Sequence, residues 1–82
     1  MPRFLDYHDK LPDMPKEAMD GLAADMKAGK ANQFGVKPIN IFMTTKGGGY
    51  CYTEAPSADA VRQTHKAMGL DANDIQEVST LV

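Results

Sequence analysis

The chain has 82 residues, and nine lysine and arginine residues against eleven aspartate and glutamate residues give it a formal net charge of −2. A chain of this length forms a single domain, here predicted to span residues 1–82. Such a domain buries only about 60% of its unfolded surface, so association with a second copy would add stability. The balanced charge excludes the basic surface that nucleic-acid-binding proteins use. The single cysteine excludes an internal disulfide and a Cys-x-x-Cys metal motif.

The sequence also lacks targeting and cofactor signals. Its first residues, MPRFLDYHD, contain no apolar signal-peptide core, and no apolar run approaches the roughly 18 residues of a transmembrane helix. We therefore predict a cytoplasmic protein that does not bind membranes. The glycine run from Gly47 to Gly49 is not followed by the Lys-Ser/Thr pair and helix of a phosphate-binding loop, and no organic cofactor is predicted.

The first half of the chain predicts a strand, a helix and a second strand. Alternating residues indicate the first strand over about 3–8. A helix over about 15–28 follows from an apolar stripe at helical spacing, from Pro15 at its first position and from Gly29 as its stop. Alternation returns over about 39–44, which predicts the second strand.

The second half predicts a strand, a helix and a last strand. The glycine run is a turn into the third strand, about 50–54, so the second and third strands form a hairpin. Ser57 is a favourable N-cap and Gly69 a favourable left-handed stop, which predicts a helix over about 58–68. The last strand is predicted over about 75–78.

This β-α-β-β-α-β order predicts a ferredoxin-like α+β fold, a four-stranded antiparallel sheet with both helices on one face. In this topology the first and third strands are central neighbours, the fourth strand adjoins the first, and the second adjoins the third. Phe4, Tyr50 and Tyr52 are expected to line the face without helices. An apolar bare face favours a homodimer of the dimeric α/β-barrel type, in which two sheets pack face to face.

Both histidines and the only cysteine are predicted to converge at one end of the sheet. Because the first and third strands are antiparallel, His8 lies near Cys51. A helix rises about 1.5 Å per residue against about 3.3 Å in a strand, which brings His65 to the same level. Imidazole and thiolate are ligands that nickel, copper and zinc prefer. The sequence therefore predicts a site for nickel or another divalent transition metal.

Strand alternation, however, divides the candidate ligands between two faces. If Leu5 and Tyr7 face the helices, His8 faces away from them. The same alternation places the carboxylates of Asp6 and Glu54 on the side of His8. The other two candidate ligands, Cys51 and His65, are predicted to lie on the helix side. A four-ligand site within one chain is therefore not expected, and the ligands would assemble at the sheet edge or across a dimer interface.

The run CYTEAPSADAVRQTHKAMG, followed by IQEV, resembles the signature of a family of small single-domain proteins, some of which are described as nickel-binding and nickel-responsive. FLDYH, EAP, the AV-x-x-x-H helix and the closing I-x-E-V match in order and spacing over essentially the whole chain. The resemblance implies a ferredoxin-like dimer that holds metal near the dimer surface. The family's recurrent polar residues fall here on His8, Glu54, His65 and Glu77, with Cys51 beside them. Family members often carry a further histidine in the first helix, which this chain lacks.

Three functions remain open at this stage. The favoured one is a homodimer that buffers or senses nickel, with His8, His65, Glu54 and Cys51 as metal ligands. The second is an enzyme or small-molecule binder with His65 as acid or base and Glu54 or Tyr7 as its partner, although no nucleophile triad, catalytic metal signature or cofactor motif supports it. The third is a structural module in which the histidines and the cysteine only pack.

Overall fold

The computed structural model describes residues 1–71 and 74–82. The described residues form six elements, which are β1 (Arg3–His8), α1 (Lys16–Ala28), β2 (Lys37–Met43), β3 (Gly49–Glu54), α2 (Ala58–Ala67) and β4 (Ile75–Val78). The strands form one antiparallel sheet in the order β2-β3-β1-β4, which is the predicted ferredoxin-like topology. Within the described ranges, neither helix has the length and apolar character of a membrane span.

Both ends of α2 follow from local chemistry. Ser57 has an extended backbone, and its hydroxyl accepts a hydrogen bond of 3.2 Å from the N–H of Ala60. After the helix, Gly69 takes the left-handed conformation with φ of 76°. The N–H of Leu70 then donates to the carbonyl of His65 at 2.9 Å, as in a Schellman motif. The predicted caps are therefore present, and the helix ends one residue before its predicted end.

The first helix has the predicted ends but buries little. It begins after Pro15 and ends at Gly29, which is left-handed with φ of 68°. Among its 13 residues, all of which the structure describes, none is buried. Leu22 and Met26 are half-buried, and Met19 on the same apolar stripe is 43% exposed. This helix therefore adds little apolar burial to the core.

The core lies on the helix side of the sheet and corrects the alternation predicted for β1. Phe4 is only 4% exposed and packs with buried residues at and near α2, and Asp6 and His8 on the same strand face are buried too. Leu5 and Tyr7 face the opposite side, so the placement of Phe4 on the helix-free face was wrong. The reason is that two of the three residues on the buried face of β1 are ionisable, a composition that is usual for a strand face outside the core. The remaining buried apolar residues are Val36, Ala55, Ala60 and Val61.

The third strand follows its predicted alternation. Cys51 pairs with Asp6, and Thr53 pairs with Phe4. Residues that are directly opposite each other on neighbouring strands share a face. Cys51 and Thr53 therefore point to the helix side together with the ionisable residues of β1, while Tyr50 points to the other side.

The glycine run allows a close approach between two loops. A Cβ atom on Gly48 would lie 2.8 Å from the carbonyl oxygen of His8, and one on Gly49 would lie 2.7 Å from the side chain of Leu11. The N–H of Leu11 donates to the carbonyl of Gly47 at 2.9 Å. The β2–β3 turn thus packs against the segment that leaves β1, and it supports the end of β1 that carries His8.

Replacing Phe4 with alanine tests the buried face of β1. We expect the free energy of unfolding to fall by about 3–5 kcal/mol, because a buried aromatic side chain is removed and a cavity remains. Met19→Ala on α1 is the matched control and should change the free energy of unfolding by no more than about 0.5 kcal/mol. Urea titration of both variants measures the difference. Equal effects would contradict the assignment of Phe4 to the core.

Candidate metal centre

Four side chains from three elements converge on the helix side of the sheet. Asp6 and His8 come from β1, Cys51 from β3 and His65 from α2, and their donor atoms all lie within 4.8 Å of one another. Asp6 is 1% exposed, both histidines are 5% exposed, and Cys51 is half-buried. Donors held at about 2.0–2.3 Å from one ion lie at most about 4.6 Å apart. The cluster therefore has nearly the dimensions of a single-ion site.

The strand register and the helix direction bring these residues together. Asp6 and Cys51 are directly opposite each other on the two central strands. His8 follows two residues after Asp6 and so shares its face. On α2, His65 reaches the same level, and its ring centroid lies 4.8 Å from that of His8. This agrees with the predicted convergence of the two histidines and the cysteine.

A backbone contact determines which nitrogen His65 presents to the cluster. Its Nδ1 lies 2.9 Å from the carbonyl oxygen of Val61. Since a carbonyl only accepts, Nδ1 carries the hydrogen, and Nε2 of the neutral ring is an acceptor. Nε2 lies 3.1 Å from Oδ2 of Asp6, which is also an acceptor. Two acceptors at this distance are stabilised only when a proton or a metal cation lies with them.

The contact between Asp6 and His8 has the same character. Oδ2 of Asp6 lies 2.6 Å from Nε2 of His8, but the two groups lack the alignment of a hydrogen bond. Among the residues that the structure describes, both Asp6 oxygens and Nε2 of His8 have no hydrogen-bond partner, and neither has Oγ1 of the neighbouring Thr53. Each such buried atom costs about 1–3 kcal/mol. Unpartnered donor atoms that point to one place fit a bound cation.

Burial governs the protonation of the two acidic side chains in the cluster. Burial raises the pKa of the Asp6 carboxyl above its ordinary value, although the two histidines act in the opposite direction. Burial, with a smaller contribution from Asp6, raises the pKa of Cys51 to about 12. The thiol is therefore neutral at physiological pH, and a metal ion would have to displace its proton to bind sulfur.

The structure places the other predicted ligand elsewhere. Glu54 lies outside the cluster, on the helix-free face, where its Oε2 is 3.6 Å from Nε of Arg3. Arg3 also donates to the hydroxyl of Tyr52 at 3.1 Å. Glu77 is exposed on β4 and lies outside the cluster as well. The carboxylate that joins the cluster is that of Asp6, which the predicted alternation had assigned to the wrong face.

Replacing Asp6 with asparagine should stabilise the metal-free protein near neutral pH. The raised pKa means that this carboxyl favours folding below its unfolded pKa of about 3.9, and that the contribution is lost as pH rises through the folded value. The variant should therefore have the higher thermal midpoint after chelator treatment, by a margin that grows as the pH rises above about 4. Asp20→Asn, which removes an exposed carboxylate, is the control. A lower midpoint for Asp6→Asn near neutral pH would contradict the account of this site.

Comparisons with known proteins agree with the fold. A family profile described as "Nickel responsive protein SCO4226-like" matches residues 4–78. The crystal structure of SCO4226 from Streptomyces coelicolor A3(2) is similar, with a TM-score of 0.70 and 25% sequence identity over 98% of this chain and 99% of that chain. No match was found among the curated proteins. Because the profile covers almost the whole sequence, the chain belongs to the SCO4226-like family of nickel-responsive proteins.

Proposed function

We propose that the chain binds one nickel ion through Asp6, His8, Cys51 and His65, and that it buffers or senses this metal in the cytoplasm. The observation that carries the proposal is the set of buried, unpartnered donor atoms of Asp6 and His8 that face Nε2 of His65. The donor set suits nickel, copper and zinc. The nickel responsiveness in the family's description favours nickel among them.

Each side chain has a distinct part in this proposal. The carbonyl of Val61 orients the His65 ring and leaves Nε2 free to ligate, as the hydrogen-bond acceptor behind a metal-binding histidine does in known metal sites. Asp6 supplies one negative charge, and Cys51 supplies another once the ion displaces the thiol proton. With neutral imidazoles at His8 and His65, these two charges balance a divalent ion. The buried site is then electrically neutral, which avoids the cost of an isolated internal charge.

The enzyme hypothesis has less support from the same geometry. A thiol with a pKa of about 12 provides almost no thiolate to act as a nucleophile. Nδ1 of His65 is occupied by a backbone carbonyl. Both partners suggested for His65, Glu54 and Tyr7, lie on the helix-free face. Metal binding uses a cluster whose donor atoms already lie within 4.8 Å of one another, nearly the separation that one ion requires.

Calorimetric titration of chelator-treated protein with nickel, zinc and copper tests the proposal. We expect one nickel ion per chain and the release of at least one proton, measured from heats in buffers of different ionisation enthalpy, because the Cys51 thiol must ionise. The His8→Ala, His65→Ala double variant should lose at least about a hundredfold in affinity. Cys51→Ser should bind more weakly and release fewer protons.

Glu54→Gln is the matched control for this titration. It removes a carboxylate that was a predicted ligand but lies outside the cluster, and it should therefore keep the affinity of the unchanged chain. Binding weaker than about millimolar by the unchanged chain would contradict the proposal. A loss of affinity in Glu54→Gln but not in the double histidine variant would contradict the assigned ligands.

We further propose that two copies associate through the helix-free face of the sheet. A row of aromatic side chains crosses this face at one level, since Tyr50 pairs with Tyr7 on one side and with Phe42 on the other. The two tyrosine ring centroids are 4.8 Å apart. Tyr7, Tyr50 and Phe42 are 37%, 39% and 50% exposed in the single chain. Contiguous exposed aromatic surface of this kind favours packing against a second sheet.

Sedimentation velocity tests this association. The unchanged chain should sediment as a dimer at about 100 micromolar, and the Tyr50→Lys, Phe42→Lys double variant should sediment as a monomer because two charges enter the apolar face. Met19→Lys on α1 is the control and should remain dimeric. The monomeric variant should still bind nickel, since all four proposed ligands belong to one chain. A monomeric unchanged chain would contradict the proposed dimer.

A further inference from the structure

A cavity that opens to solvent lies beside the four side chains that are proposed to bind the metal. Its lining includes His8 but, among the residues that the structure describes, none of the other three proposed ligands. His8 is 5% exposed, and its Nε2 has no hydrogen-bond partner among those residues. The cavity therefore reaches from the surface to the residue that carries one of the proposed ligand atoms.

The mouth of this cavity is acidic. Asp9, Asp71 and Asp74 line it, and Lys10 is the one basic residue among the described lining residues. All four side chains are exposed. Three carboxylates against one ammonium group create a negative potential at the mouth. Such a potential raises the local concentration of cations and the rate at which they enter a cleft.

The acidic groups are attached closely to the proposed ligands. Asp9 directly follows His8 in the chain. Asp71 follows Leu70, whose N–H donates to the carbonyl of His65 at 2.9 Å. The C-terminal cap of α2 therefore keeps Asp71 close to the end of the helix that carries His65.

We propose that this cavity is the loading route of the metal site. Its three carboxylates attract a hydrated divalent cation, and His8 is the first of the four ligands to receive it. This inference rests on the proposed function, because a loading route has meaning only if the cluster binds metal. It assigns a role to Asp9, Asp71 and Asp74, which are not themselves ligands.

Stopped-flow mixing of chelator-treated protein with nickel, followed by thiolate-to-metal absorbance, tests the route. At low ionic strength, the Asp71→Asn, Asp74→Asn double variant should bind nickel about three- to tenfold more slowly than the unchanged chain. The difference should shrink at about 0.5 M salt, because the Debye length falls to a few ångströms. Lys10→Gln removes the opposing charge and should bind faster. Asp20→Asn on α1 removes one negative charge at a distance and should leave the rate unchanged.

Equilibrium affinities of the same variants, measured by calorimetry, separate this inference from the proposed function. Equal association rates for the unchanged chain and the double aspartate variant, with nickel affinity intact, would overturn the loading route and leave the metal site standing. An equal slowing in Asp20→Asn would also overturn it, because the effect would then come from net charge alone. No nickel binding by the unchanged chain would overturn both.

Discussion

The carboxylate of Asp6 is held between two histidine rings at a position where a small domain would ordinarily bury an apolar side chain. Its two oxygens have no hydrogen-bond partner among the described residues. The Nε2 atoms of His8 and His65 lie 2.6 Å and 3.1 Å from Oδ2, but neither is aligned for a hydrogen bond. Moving a carboxylate out of water costs several kcal/mol unless another group compensates. A bound cation, as proposed above, would supply that compensation.

This arrangement has a consequence for stability. The buried apolar core of the described residues consists of Phe4, Val36, Ala55, Ala60 and Val61, and α1 contributes no buried side chain to it. A ligand that binds only the folded chain adds about 2.7 kcal/mol at a concentration of 100 times its dissociation constant. For a domain with so small a core, that is a large share of the total. Under the proposed function, metal binding would thus increase the free energy of unfolding of the whole domain.

Much of the fold was predictable because its determinants are local. Ser57 and Gly69 mark the ends of α2 through a side-chain cap and a left-handed turn, and both act as predicted. The order of strands and helices then leaves one common topology. The position of His65 along the sheet, beside Cys51 and His8, followed from the rise per residue of a helix and a strand alone. Its convergence with His8 could therefore be predicted without knowledge of packing.

The face of β1 was not predictable from hydrophobicity, and the ligand set depended on it. Leu5 and Tyr7 are more apolar as a pair than Asp6 and His8, but the structure buries the polar pair with Phe4. The usable signal was the Asp-x-His spacing on a strand, which places two ionisable side chains on one face two residues apart. Glu54 was favoured instead because of the family resemblance, and its ion pair with Arg3 depends on a cross-strand register that the sequence does not reveal.

The most direct test of the proposed centre is X-ray absorption at the nickel edge, measured on protein loaded with one ion per chain. The proposed centre predicts one sulfur ligand from Cys51 and the outer-shell scattering of two imidazole rings from His8 and His65, with the sulfur contribution absent in Cys51→Ser. A shell of oxygen and nitrogen ligands without sulfur in the unchanged protein would contradict the assignment of the nickel site to this cluster.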